Sequence, residues 1–503
     1  MIIKIGNTHS TIAIERSDYS ANPQFNLKQG LRELLSVYAE NYKHSTAYST
    51  FKYKCIECAH ELETSGPYSR CINCGSQHIT KGKRKWDGRI AFISWQMKFL
   101  TGFLPTVVEF LNENNYTVEL VDERENAFEP PAEFVKSLPT WDIRPFMLES
   151  LSKILYNHEE LYFPRGIYKA ATNAGKNSFI AALQLTLNTK SLLLVHRKEL
   201  FTQAYEFLTE CGIEVSRYGG GHKELGHFTL AMVRTLKNGL STIEVKQHLK
   251  GVSTLFVDEC HRASAKEYRT VIDSTNAYAR FFVSGTPLSS SNDVSNMEII
   301  GRSGTVFDEV VNDFLIEKGY SQKVVVEVES YPNYLMGDES YEQQKLDSTS
   351  NLDKISKIRE ICARDNDEQI LIIVEELSHM RLLYESLAGI SKTVDFVHGS
   401  DDSRAEKLEK FNSKSINVLI STMIIKEGVN IHSINRGINA FGGKSTITLL
   451  QTIGRVLRSD GENDVCYWTE FEDHGRNTNK HFKERIKILE NENFQIIYKK
   501  VTQ

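Results

Sequence analysis

Leu255-Phe256-Val257-Asp258-Glu259-Cys260-His261 is the stretch on which the reading of this chain turns. Three apolar residues end abruptly on two carboxylates, with a histidine two places further on. A buried strand that delivers Asp258 and Glu259 to its C-terminal edge is how nucleotide-hydrolysing sheets present a metal ligand and a water-orienting base. Standing alone, the same residues also suit a strand end with a solvated acidic turn. The segments around Lys176, Ser284 and Arg455 decide between the two.

Ala170-Ala171-Thr172-Asn173-Ala174-Gly175-Lys176-Asn177 follows a short apolar segment and precedes a helix rich in Ala and Leu. A loop in that position aims backbone N–H groups at phosphate oxygens, and the helix N-terminus adds positive potential. Thr172, Asn173, Ala174, Gly175 and Asn177 therefore read as the cradle, with Lys176 on the β and γ phosphates. Asn177 stands where Ser or Thr is usual, so its amide oxygen and Asp258 are the expected magnesium contacts. His261 is spaced to report nucleotide state to Ser284-Gly285-Thr286-Pro287, whose hydroxyl residues end the following strand. Further on, Gln451, Arg455 and Arg458 fall on one helical face at offsets of four and seven, and Gly454 permits a close backbone approach. Two arginines there suit the charge on a transferring phosphoryl group. An exposed basic helix is the plainer alternative, but Ile453, Val456 and Leu457 anchor the opposite face.

At 503 residues the chain has room for about three domains. Its 40% hydrophobic and 25% charged content is ordinary for globular proteins, and the longest apolar runs, such as Ile370 to Val374, are far too short to span a bilayer. Lys4, His9 and Glu15 interrupt the N-terminus, which lacks a signal-peptide pattern; a cytoplasmic location, the host's if the source is viral, is expected. The net charge of −5 argues against a protein that simply coats nucleic acid, while leaving room for a local basic track. Lys81, Lys83, Arg84, Lys85 and Arg89 form such a block, readable as a solvated loop or as a phosphate contact.

Four of the eight cysteines cluster as Cys55-x2-Cys58 and Cys71-x2-Cys74, separated by twelve residues with a Gly66-Pro67 turn signal. Two knuckles of this kind supply four thiolates, enough for a closed tetrahedral zinc site. Paired redox dithiols are the alternative; neither pair opens a helix beside a strand pattern. Cys211, Cys260, Cys362 and Cys466 lie in apolar or strand-like segments and read as small core residues.

From about Pro139 the texture becomes alternating strands and helices. Strands are expected at Ser191–His196, Phe228–Val233, Thr254–Asp258 and Ala279–Ser284, then again at Ile370–Val374, Val394–Val397, Val418–Ser421, Gly437–Phe441 and Val465–Trp468. That alternation implies an α/β class with parallel sheets. A helix is expected over Thr106–Asn112, and Gly337 to Asp353 reads as polar surface loop and helix. The expected organisation is an N-terminal α+β unit over 1–135 carrying a zinc ribbon at 53–79, then domains at 139–320 and 321–503.

With these motifs in order, the chain resembles the superfamily 2 helicases and translocases. The segments "AATNAGKN", "LLLVHRKEL", "VDECH", "SGTP", "ISTMIIKEGVNI" (Ile420–Ile431) and "QTIGRVLR" carry the likeness across roughly residues 140 to 470. The resemblance implies two tandem RecA-like domains using ATP and Mg²⁺, with Arg144 and Gly428 in the nucleotide set. It also implies DNA contacts at His196, Arg197, His398, Gly399 and Thr422. Asn173 and Asn177 depart from the commoner Gly and Thr, Asn430 from a frequent Asp, and Met147 from an adenine-reading Gln. Trp86-Asp87-Gly88, followed by "FLPTVVEFLNENNYTVELVDER", is similar to the accessory domain of phage branch-migration helicases. The expected partner is double-stranded and branched DNA, engaged by a monomer alongside recombination or replication proteins. A restriction-system motor, an RNA helicase and a non-catalytic nucleotide-gated clamp are the alternatives.

Overall fold

The computed structural model describes all residues except 15–26, 39–50, 56–60, 65–78, 82–88, 140–142, 157–160, 172, 290–291, 322, 336–338, 365–368, 423–433, 442–464, 492–493 and 500–503; of 51–55, 61–64 and 79–81 only the backbone, and of Glu199 and Asn491 no side-chain burial, is described. Two compact units result: residues 1–168, 180–196 and 208–308 make one, and 169–179, 197–207 and 309–503 the other.

The first unit is built on an eight-stranded sheet. Its order is His222–Lys223, Val215–Gly219, Phe228–Met232, Ser191–Val195, Thr254–Asp258, Ala279–Ser284, Arg165–Ala170, Val306–Val310. The pairings from Val215–Gly219 through Ala279–Ser284 are all parallel. Strands covered on both faces read as continuous apolar runs, and Leu255, Phe256 and Val257 are wholly buried. The expected strands at Thr254–Asp258 and Ala279–Ser284 are observed at those bounds. Those at Ser191 and Phe228 each stop one residue early, at Val195 and Met232.

An N-terminal layer belongs to the same unit. Its four-stranded sheet runs Lys98–Leu100, His9–Ala13, Ile2–Ile5, Glu119–Asp122, with only the last pair parallel. The helix beside it spans Leu104–Glu113, beginning two residues earlier than expected because Pro105 fits the first turn, where its missing N–H costs nothing. Val107 and Leu111 pack with Ile3, Ile5, Leu27 and Leu31 in one core. The layer docks by close backbone approach: a Cβ on Gly102 would lie 2.1 Å from the Ile300 carbonyl oxygen. Two buried arginines finish the joint. Arg165 donates to the carbonyls of Asn7 (2.6 Å), Ala277 (2.8 Å) and Tyr278 (2.8 Å), and Arg280 donates to Thr8 Oγ1 (3.1 Å). A separate three-stranded antiparallel sheet is ordered Glu61–Thr64, Phe51–Cys55, Ile79–Lys81.

The second unit holds a seven-stranded sheet ordered Val394–Val397, Val418–Thr422, Ile370–Val374, Arg436–Asn439, Val465–Phe471, Lys323–Glu329, Gln495–Tyr498. Every pairing in it is parallel. The strand expected at Gly437–Phe441 sits at Arg436–Asn439, because Arg436 enters the core by pairing with Glu327 at 2.7 Å. The segment expected as polar surface loop and helix carries the helix Tyr341–Ser350, but its Gln344, Ser348 and Thr349 are buried. Ser348 donates to Asp473 (2.8 Å), which also receives Lys354 (3.1 Å) and Tyr331 (3.0 Å). All four scattered cysteines are buried, as core residues should be. No helix among the described residues is long and apolar enough to cross a membrane.

Candidate functional site

Asp258 closes its strand as a buried residue, and its Oδ1 accepts the Glu259 backbone N–H at 2.9 Å. Glu259 then turns out of the sheet with φ 49° and ψ 53°. A left-handed conformation at a non-glycine residue costs about 1–3 kcal/mol and persists where surroundings impose it, typically at functional positions. The turn brings three side chains together. Glu259 Oε2 accepts Ser284 Oγ at 3.2 Å and lies 3.3 Å from His261 Nδ1, while His261 Nδ1 and Ser284 Oγ are 3.4 Å apart. Ser284 Oγ also accepts the Thr286 N–H at 3.2 Å, tying the loop after the next strand to the same cluster. The arrangement can hold a carboxylate aimed at a water and pass its displacement to Ser284 and Thr286.

Sequence reasoning overlooked Tyr268, on the helix Lys266–Asp273. Its hydroxyl is buried without a hydrogen-bond partner among the described residues, and burial together with the neighbouring Asp258 charge pushes its pKa up. Nothing in the letters distinguishes this tyrosine from the others. The helix Asp293–Ser303 was overlooked too. Ser295 Oγ donates to Ser264 Oγ (2.7 Å), and Asn296 exchanges hydrogen bonds with the Ser289 backbone, so this helix touches the turns after both motifs.

The phosphate-loop segment follows the strand Arg165–Ala170, which neighbours Ala279–Ser284 in the sheet. Asn173 has φ 73° and Gly175 φ 84°. Asparagine is among the few residues that tolerate the left-handed region, so Asn173 suits this backbone. The helix begins at Lys176, whose Nζ donates to the Ala170 carbonyl at 3.3 Å, and Asn177 occupies the next, half-buried position. Ala174 is buried; Thr172 lies outside the described residues.

Arg144 is half-buried just ahead of the helix Pro145–Tyr156, whereas Met147 is a core residue of that helix, 1% exposed. The methionine is therefore a packing residue. His196 and Arg197, half-buried, follow the strand Ser191–Val195. His398 pairs with Ser400 (3.1 Å) beside the exposed Gly399, and Thr422 is buried at its strand end. Gly428, Asn430, Gln451, Gly454, Arg455 and Arg458 lie outside the described residues, as do Lys83, Arg84, Lys85, Cys58, Cys71 and Cys74. Of Cys55 and Lys81 only the strand backbone is described. Among the described residues no group of three or more His, Cys, Asp or Glu could hold a metal ion.

Two family models match: "Type III restriction enzyme, res subunit" over residues 116–289 and "Helicase conserved C-terminal domain" over 353–460. The ATP-dependent DNA helicase uvsW of Enterobacteria phage T4 is 23% identical over 413 residues, covering 76% of this chain and 80% of that protein. The ATP-dependent DNA helicase RecG of Staphylococcus aureus is 34% identical over 134 residues, covering 25% of this chain and 18% of its own. Among solved structures, the ATP-dependent type ISP restriction–modification enzyme LlaBIII bound to DNA aligns with a TM-score of 0.51 at 14% identity, covering 78% of this chain and 34% of that one, a likeness of fold. The carboxylate cluster, the phosphate-loop segment and the two family matches agree: the chain is a superfamily 2 helicase, an ATP-hydrolysing enzyme that resembles the branch-migration helicases of phages.

Proposed function

We propose that this helicase is a DNA motor that remodels forks and four-way junctions in recombination, repair or replication. The observation that carries the reading is the Glu259–His261–Ser284 cluster at the end of a buried parallel strand. In this reading Glu259 orients the attacking water, Lys176 and the N–H groups of 173–177 hold phosphate, and His261 and Ser284 relay the change. Asp258 and Asn177 hold Mg²⁺, which neutralises charge on the phosphate oxygens. Arg455 and Arg458 stabilise the transferring group, and Gln451, Arg144 and Gly428 complete the nucleotide set. His196, Arg197, His398, Gly399 and Thr422 contact DNA, together with Lys81, Lys83, Arg84 and Lys85 of the N-terminal block. We assign residues 1–135 to the accessory domain and 139–320 and 321–503 to the two RecA-like domains.

The same reading gives Cys55, Cys58, Cys71 and Cys74 a structural zinc ion. Support comes from the backbone: Cys55 pairs in register with Ile79, five residues beyond Cys74 in the sequence. A segment of this size without its own core needs such a crosslink. Purified protein should contain one zinc per chain by atomic emission, and the Cys58→Ser variant none; equal content in both removes the assignment.

The decisive experiment is phosphate release measured with four-way junctions, forks, linear duplex, single strands and RNA. Branched DNA should stimulate most. Stimulation by RNA alone, or by no nucleic acid, overturns the reading in favour of an RNA helicase or a passive clamp.

A further inference from the structure

The helix Arg476–Asn491 carries a feature that none of the motifs accounts for. Arg476, Lys480, Lys483 and Lys487 are all exposed, at offsets of four, seven and eleven. At 100° per residue these offsets fall within about 60° of the helix circumference and extend over about 16 Å. The opposite face fixes the helix firmly. Phe482, Ile486 and Leu489 enter the unit's main core, and the buried Arg485 donates to Glu470 (2.9 Å) and lies 3.4 Å from Asp473. Among the described residues only Lys480 of the four has an acidic partner, Glu484 at 4.0 Å, and both side chains are well exposed. In a chain of net charge −5, a straight row of four cations on a braced helix is a concentrated positive ridge.

We infer that this ridge binds the phosphate backbone of a duplex DNA arm, a contact distinct from the one proposed at His398 and Thr422. The inference rests on the branched-DNA reading above and extends it. Three observations favour a duplex. The exposed face (Arg476, Asn477, Lys480, Lys483, Glu484, Lys487, Glu490) has no aromatic ring on which single-strand bases could stack. The row is straight and rigid, matching a duplex that carries one charge per about 1.7 Å of axis. Position supplies the third. All pairings of the seven-stranded sheet are parallel, so Phe471, which leads into this helix, and Val397 and Thr422, which lead into the other contact, share one sheet edge. The helix leads to the edge strand Gln495–Tyr498, while Val394–Val397 is the opposite edge strand. The strands that the helix joins, fifth and seventh in the order, lie four and six strand spacings from Val394–Val397, about 19 and 29 Å. A branched substrate can offer a separate arm to each contact.

The test uses the full chain with all four residues changed to Gln, and separately with Glu484→Gln and Glu490→Gln. Binding to a four-way junction, linear duplex and single strand of equal length is titrated from 50 to 200 mM salt. The quadruple variant should bind junction and duplex about 10- to 100-fold more weakly, with the log–log salt slope shallower by about 3 units, since each phosphate contact contributes about 0.9. The Glu variants should bind more tightly. Because every altered side chain is exposed, unfolding midpoints should match the wild type. Unchanged slope and affinity overturn the inference, as does an effect confined to single strands. Loss of binding to poly-glutamate with intact DNA binding also overturns it, and assigns the ridge to an acidic protein. A wild type that binds duplex and loses it in the variant, yet releases no phosphate on any DNA, sinks the motor reading and leaves the ridge standing.

Discussion

Glu259→Gln should all but abolish hydrolysis while leaving the protein folded and able to bind nucleotide. The substitution keeps size and shape, so the left-handed turn at φ 49° is retained. What changes is the charge accepting from Ser284 at 3.2 Å and facing His261 at 3.3 Å. Of the two contacts, the Ser284 hydrogen bond is to an ionised acceptor; its loss is worth about 1.5–3 kcal/mol in a dry site and less where an amide oxygen can still accept. Gln can keep that acceptor, so stability should fall by about 1 kcal/mol at most. Water activation is another matter, because an amide cannot take a proton. Removing a positioned base costs about 10²–10⁴ in rate, which is about 2.7–5.4 kcal/mol of barrier at 1.36 kcal/mol per tenfold. Single-turnover phosphate release on a four-way junction reads the barrier, a fluorescent nucleotide titration reads binding, and a thermal scan reads folding. Turnover within threefold of wild type, with binding intact, would refute the assignment of Glu259 as the water-orienting residue.

Further outcomes follow from packing and burial. Gly102→Ala puts a methyl carbon 2.1 Å from the Ile300 carbonyl oxygen, and relieving the clash should cost about 1–3 kcal/mol, seen as a lower thermal midpoint. Asp473→Ala strands the buried Lys354 and removes an acceptor of Arg485; a loss of about 3–5 kcal/mol in urea unfolding is expected, and a loss under about 1 kcal/mol contradicts the network. Burial pushes His379 down to about 3, below its unfolded value of about 6.5. Between those values the unfolded chain binds a proton that the folded chain does not, so stability is full above pH 6.5 and falls as pH drops toward 3, by up to about 1.4 kcal/mol per pH unit. His379→Gln should flatten that slope between pH 6 and 4.5; an unchanged slope refutes it.

Much of the fold could be read from the letters wherever burial is two-sided. Thr254–Asp258, Ala279–Ser284 and Ile370–Val374 are largely apolar runs whose ends coincide with the observed strands. Strands with mixed composition were invisible. Val215–Gly219 contains an arginine and a glycine, and Gln495–Tyr498 is an edge strand with one face in solvent, so neither shows the pattern of a core strand. Arg436 hid the start of its strand because its charge is satisfied by a glutamate over a hundred residues away, a pairing that no local window can register. The site divides similarly. Asp258, Glu259, His261 and Ser284 were legible because backbone geometry forces them together from two adjacent strands. Tyr268 was not, since its place beside Asp258 depends on how a helix packs.

The two docking arginines have a mechanical corollary. Arg165 opens the strand that runs into the phosphate-loop segment, and Arg280 lies near the start of the strand that ends at Ser284. Their guanidiniums grip Asn7 and Thr8. The tails of two rods are thus clamped to the N-terminal layer while their tips carry motif residues, each rod about 20 Å long. A push or twist delivered at the tips arrives at that layer along covalent backbone, with no intermediate joint to absorb it.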